Sequence, residues 1–312
     1  MTSTVTSTVT STVTSTVTSA ATPPAAPSVT RIDAHHHLWD LSQRPQTWLD
    51  PPEMAPIRRD FTLADYASAA AGTDIGRSVL VQVLGDAEET REFLALAARS
   101  RTVAAVVGWT DLTRPDLADE LAALAASPGG ALLHGIRHLV QGESDPRWLA
   151  RDDVRRGLRQ VAAAGLAYDL LVLPHQLPAA IETVRAVPEL TFVLDHLAKP
   201  PIASGELDPW AGLIRELAAE PNVTAKLSGL ITEAAWDDWN AAALRPYVDV
   251  ALDAFGPSRL MFGSDWPVCL LAGSLPLWTE TVSALLTDAG LTAADREAVF
   301  RDTATRVYRL EG

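Results

Sequence analysis

The chain has 312 residues, 47% of them apolar and 21% charged, with a formal net charge of −14. That length suits one large α/β domain or two small ones, and the acidic balance argues against nucleic-acid or anionic-membrane partners. Cys269 is the only cysteine, so no intrachain disulfide can form, which fits a cytoplasmic setting, and no apolar run reaches the ~18 residues of a membrane span.

Residues 1–29 read as a low-complexity, disordered tail. A tandem Thr-Ser-Thr-Val repeat runs to Ser19 and Ala/Pro-rich sequence follows, without the basic start and continuous apolar run of a signal peptide. Residues 30–312 read as one domain in which short β-like runs alternate with Ala/Leu-rich helical stretches. The predicted strands are 31–35, 77–83, 103–109, 131–137, 167–173, 190–195, 223–227 and 259–262. Helix punctuation lies between them. Thr62-Leu-Ala-Asp65 and Thr292-Ala-Ala-Asp295 read as capping boxes, Gly72 closes the first helix, Asp86 and Glu89 open the second, and Pro178 sits at a first helical position. Alternation without consecutive strands implies a parallel sheet, and eight units in a chain of this size fit a closed (β/α)8 barrel of the TIM type. A doubly wound open sheet is the rival. It would usually show a Gly-rich phosphate loop after its first strand, and here the first strand ends in histidines.

Those histidines are the main chemical signal. In Ile32-Asp33-Ala34-His35-His36-His37 the side chains alternate faces, so His35 and His37 point one way and His36 the other. Two imidazoles on one face of a strand end make half a divalent-metal site. His175 follows the fifth predicted strand, His196 the sixth and Asp265 the eighth, and in a barrel all those ends converge on one mouth. His134 and His138 flank the fourth strand less regularly and read as structural. For Asp265 the alternative is a helix cap in the Ser-Asp-Trp-Pro turn, and for His196 a buried structural pair with Asp195.

Other residues at strand ends suit a substrate. Arg137 ends the fourth strand with a guanidinium fork suited to planar oxygen groups, or else makes a rim salt bridge. Lys226 either points into the mouth or snorkels outward, and Gln82 could donate to a hydroxyl. Of nine tryptophans, Trp39, Trp109 and Trp266 fall just after strand ends, where an indole face could pack on the C–H face of a sugar; packing within the protein is the alternative for each.

The ordered set IDAHHHLWD, GIRH, LPHQLP, FVLDHLAKP, KLSGL and MFGSDWPVC resembles the amidohydrolase-related family of barrel hydrolases, and within it the sugar-lactonase branch of L-fuconolactonases and L-rhamnonolactonases. The resemblance covers residues 31–310. It implies one divalent metal, zinc favoured, held by His35, His37, His175 and Asp265, with Asp265 and His196 catalytic, although some lactonases of the group work without metal. Binuclear members bridge their metals with a carbamylated lysine on the fourth strand. Lys199 and Lys226 are the only lysines here and neither lies there, which disfavours a binuclear site. The implied activity is hydrolysis of an aldonolactone, a small-molecule substrate, by activated water. A pyrone-dicarboxylate lactonase, a metal-dependent decarboxylase of an unsaturated or aromatic acid, and a non-catalytic barrel are the alternatives.

Overall fold

In the computed structural model residues 1–2 and 30–310 are described, so the tail expected over 1–29 falls almost entirely outside them. Eight parallel strands follow chain order around the sheet: β1 (Arg31–His36), β2 (Ile75–Val81), β3 (Val103–Gly108), β4 (Leu133–His138), β5 (Ala167–Leu170), β6 (Phe192–Leu194), β7 (Val223–Leu227) and β8 (Leu260–Phe262). The ring closes where the ends of β1 and β8 meet. The Asp265 N–H donates to the His35 carbonyl (2.8 Å), and the His37 N–H to the Trp266 carbonyl (2.7 Å). The open-sheet rival is thereby excluded.

Every predicted strand overlaps an observed one, and 223–227 coincides with it. The fifth and sixth were read too long. β5 stops at Leu170 and β6 spans three residues, yet the neighbours Leu171, Val172, Leu190 and Asp195 are buried all the same. Apolar character reports burial, and a loop packed over the barrel is as buried as a ladder.

The connecting helices begin as their sequences suggest. Thr62 caps α1 (Leu63–Ala69) in a reciprocal box with Asp65, while Gly72, at φ +82°, turns the chain beyond its end. Asp86 caps α2 (Ala87–Ala97) by accepting from the Glu88 N–H. Glu89 does not share that role: its carboxylate turns back to accept from the N–H groups of Val83 (2.8 Å) and Leu84 (3.0 Å), bracing the loop after β2. Pro178 is the second residue of the helix Leu177–Ala186, and Thr292 caps the helix Ala293–Glu297 with Asp295.

Two apolar bodies hold the fold. The larger lies between the sheet and its surrounding helices. The smaller fills the barrel, where Val79, Val81, Val107, Val193 and Met261 pack with Tyr308, which enters from the C-terminal end of the chain. Above that plug the barrel interior turns polar, and the site begins there.

Candidate active site

Strand β1 delivers two histidines to one point. His35 and His37 face inward with their Nε2 atoms 3.1 Å apart, whereas His36 lies on the other face, stacked on Tyr66 of α1 at 4.0 Å between ring centroids. The pairing register of β1 on β2 shifts between Asp33 and His36. Asp33 holds that irregular stretch: its carboxylate accepts from the His35 N–H (3.1 Å), the Ser264 N–H (2.7 Å), the Ser264 hydroxyl (2.5 Å) and the Tyr66 hydroxyl (2.9 Å). One buried carboxylate therefore fixes the end of β1 to the loop after β8.

That loop brings Asp265. Its Oδ1 lies 3.5 Å from His37 Nε2 and 3.8 Å from the Nε2 atoms of both His35 and His196. Asp265 adopts φ +54°, and the sixth loop runs left-handed through His196, Leu197, Ala198 and Lys199 (φ 50–58°). None of these is glycine, and each such residue costs roughly 1–2 kcal/mol against right-handed backbone. Strain of this kind gathers where a site needs an otherwise disfavoured placement. Trp210 holds it in place by donating Nε1–H to the Leu197 carbonyl (2.7 Å), and His196 Nδ1 meets the Ser228 hydroxyl at 2.8 Å. Gly229 then passes so close that a Cβ there would fall 2.7 Å from His196 Nδ1 and 3.2 Å from Asp265 Oδ2.

Burial sets the protonation states. It holds His35 well below the usual imidazole range and pushes His196 down to about 4, so both are neutral near pH 7. Burial alone would raise Asp265, but the imidazoles of His196, His37 and His35 outweigh it and keep its carboxyl ionised. The cluster thus sets an acceptor carboxylate beside the neutral rings of His35 and His196.

Beneath it lies a network that the sequence did not reveal. The Lys226 ammonium is fully buried, 2.5 Å from Asp169 Oδ2, 3.0 Å from Asp195 Oδ1 and 3.1 Å from His35 Nδ1. Arg137 reaches Asp195 Oδ2 at 3.1 Å and stands 3.3 Å from His35 Nε2. The Tyr308 hydroxyl donates to Asp169 (2.8 Å). Burial raises Asp169 to about 6 against the pull of Lys226, while Asp195, despite its burial, is held well below the carboxylate range by Lys226, His35 and Arg137. Two carboxylates offset two cations, which is how buried charge is tolerated. One signal for Asp169 was present: a lone acid within an apolar strand, in register with the inward Ala167. Ser228 and Tyr308 offered none.

The structure redistributes several expected contacts. His175 is exposed on the turn Pro174–Gln176 and does not join the cluster, because the β5 ladder ends at Leu170 and the next residues lead the chain away; Asp169 is the inward residue of that strand. Trp39 is buried in the first loop, donating Nε1–H to the Arg59 carbonyl, and Trp266 is buried against Phe61 and Tyr66, so both pack protein. Trp109 is half-buried and donates to His138 Nδ1 (3.0 Å). Gln82 is fully buried and donates to the Arg137 carbonyl (3.2 Å), bracing that arginine. Lys226 snorkels nowhere and works from inside the barrel.

The donor set suits a divalent ion. One ligand atom each from His35, His196 and Asp265 lies within 4.8 Å of the others. His37 Nδ1 meets the Val81 carbonyl at 2.8 Å, and a carbonyl only accepts, so the proton is on Nδ1 and the Nε2 lone pair faces the cluster. His35 Nδ1 stands 3.3 Å from Asp195 Oδ1 and 3.1 Å from the Lys226 ammonium, which can only donate to it. The Nε2 atoms of His35 and His37 thus meet 3.1 Å apart beside the Asp265 carboxylate.

Comparison with known proteins agrees with this geometry. Residues 32–310 match the family model described as amidohydrolase. An L-fucono-1,5-lactonase from Burkholderia ambifaria is 40% identical over 287 residues, covering 90% of this chain and 96% of the relative. An L-fucono-1,5-lactonase from Burkholderia multivorans is 39% identical over 293 residues, with 90% and 96% covered. A crystal structure of an amidohydrolase from Burkholderia multivorans with bound zinc superposes with a TM-score of 0.83 at 37% identity, covering 91% of this chain and 100% of that one. A closed eight-stranded barrel, histidines and an aspartate gathered at its mouth, and a family match along nearly the whole domain lead to one assignment: the chain is a barrel hydrolase of the amidohydrolase family, on the branch that holds the sugar lactonases.

Proposed function

We propose that this hydrolase opens an aldono-1,5-lactone of the L-fucono type by attack of water on the ring ester. The observation that carries the reading is the ionised Asp265 carboxylate set 3.5–3.8 Å from three inward imidazole nitrogens at the mouth. Relatives at 40% and 39% identity that bear the L-fucono-1,5-lactonase name support the substrate class.

In this reading Asp265 accepts a proton from water as the nucleophile adds, then returns it to the ring oxygen as that oxygen leaves. His196, held by Ser228, hydrogen-bonds the carbonyl oxygen as charge develops there. A divalent ion held by His35, His37 and Asp265, zinc being favoured by the nitrogen-rich donors, would supply Lewis acidity at the carbonyl and leave His196 free to donate. Arg137 does not face a free carboxylate, since Asp195 and Gln82 already hold its guanidinium, and that weighs against a dicarboxylate substrate. A small-molecule substrate and a cytoplasmic setting belong to the same reading.

The test is acid release from a panel of L- and D-aldonolactones, with chelator and with added Zn²⁺. Asp265→Asn lowers kcat by about a hundredfold or more. Chelator lowers the rate and Zn²⁺ restores it if the ion takes part in turnover. Failure of every lactone in the wild type overturns the proposal.

A further inference from the structure

Just outside the histidine cluster stands a charged pair that the reaction above does not use. Lys199 Nζ and Glu233 Oε1 are 3.5 Å apart, and each side chain is about three-quarters buried, at 26% and 25% exposed. Lys199 lies three residues beyond His196 in the left-handed turn, its N–H donating to the His196 carbonyl (2.9 Å). Glu233 closes the short turn Leu230–Thr232 that starts at Gly229, the residue pressed against His196 and Asp265. The two loops are joined by the Ala203 N–H donating to the Glu233 carbonyl (3.0 Å). Both charges therefore sit on the carboxyl-end face of the barrel, one turn from the reacting groups.

The two charges act on each other and on the reacting groups. Burial raises Glu233 against the pull of Lys199, and the charge of Asp265 raises it further; Lys199 in turn helps to lower His196. A single 3.5 Å contact uses little of what the pair offers. The ammonium carries three donors and the carboxylate about four acceptor sites, and partial burial strengthens any hydrogen bond made there. A donor beside an acceptor at this spacing matches neighbouring hydroxyls on a sugar ring, each of which can donate and accept.

Resting on the lactonase reading, we propose that Lys199 and Glu233 form the hydroxyl-reading edge of the substrate site, selecting polyhydroxylated lactones over bare ones. Glu233 accepts from one ring hydroxyl and Lys199 donates to its neighbour. They are specificity residues and take no part in proton transfer. Sites built to bond a hydroxyl discriminate strongly against analogues that lack it, because their own polar groups are then left unpaired.

The experiment compares calorimetric binding of an aldono-1,5-lactam with that of δ-valerolactam, neither of which needs turnover, alongside kcat on the matching aldonolactone. Wild type, Glu233→Gln and Lys199→Met are used, with melting temperatures as the folding control. The expected result is a loss of about tenfold or more on the polyhydroxylated lactam in both variants. The bare lactam and kcat change by less than about threefold. Equal losses on both lactams, or loss on neither, overturn the proposal and leave the pair as a loop clasp. A large fall in kcat with binding intact also overturns it, by moving Glu233 into the chemistry. Absence of lactone turnover in the wild type, by contrast, overturns the lactonase reading, while the lactam comparison still decides what the pair recognises.

Discussion

At the residue scale, the side chain on which most depends is Lys226. Its ammonium is fully buried between Asp169 and Asp195 and touches His35. Removing one member of a buried ion network leaves uncompensated charge, which typically costs about 3–5 kcal/mol. Lys226→Met is therefore expected to lower the denaturant-unfolding free energy by about that amount. Adding Asp169→Asn should recover part of the loss, since it removes one orphaned carboxylate. An additive double variant would show that the two groups do not interact. Lys226 and Arg137 were recognised from sequence as strand-end cations. Their partners were not, because Asp169 and Asp195 are distant in sequence and meet the cations only when β4, β5, β6 and β7 become neighbours.

At the scale of elements, the loops after β6 and β7 decide how closely His196 and Asp265 approach. Gly229 is the narrowest point, with φ +66° and no room for a Cβ. Gly229→Ala combines left-handed strain with a 2.7 Å clash on the His196 ring, so kcat/KM is expected to fall by about tenfold or more, while the melting temperature drops by only a few degrees. Unchanged kinetics would mean that the loop yields without moving the imidazole. Elements were legible where local chemistry sets them: both capping boxes formed as read, and β7 matched residue for residue. The end of β5 was not. Whether Leu171 to Leu173 continue the ladder depends on the partner strand, and that one boundary removes His175 from the site.

For the whole molecule, the buried titratable groups make stability depend on pH in a direction that can be worked out. Burial, with a smaller effect of His37, lowers His36 from 6.5 to about 3, and its ring nitrogens have no hydrogen-bond partner among the described residues. Burial likewise lowers His196 to about 4 and depresses His35. Below pH 6.5 the unfolded chain takes up protons that the fold refuses, so stability is lost as pH falls from 6.5 toward 4. Asp195 and Asp265, held low, add losses at still lower pH. Asp33, raised to about 6, and Glu89, raised to about 7, act in the opposite sense, because the fold holds their protons longer than the unfolded chain does. His36 isolates one contribution, worth at most about 1.4 kcal/mol per pH unit. His36→Phe keeps a ring on Tyr66 and should flatten the fall in unfolding free energy between pH 6.5 and 4. Identical slopes in the two proteins would assign that acid sensitivity elsewhere.

The sequence by itself determined the barrel, the inward pair His35 and His37 and the placing of Asp265 at the same mouth. Alternation along a strand and the spacing of strands and helices are local properties, written in the order of residues. Tertiary structure alone decided what each of those residues touches. It set Lys226 between two carboxylates, buried Trp39 and Trp266 in packing, and left His175 in solvent. It also brought Lys199 and Glu233 together across two loops. The physical reason is that burial and electrostatic partnership depend on distances across the barrel, and those distances exist only once β1 has closed on β8.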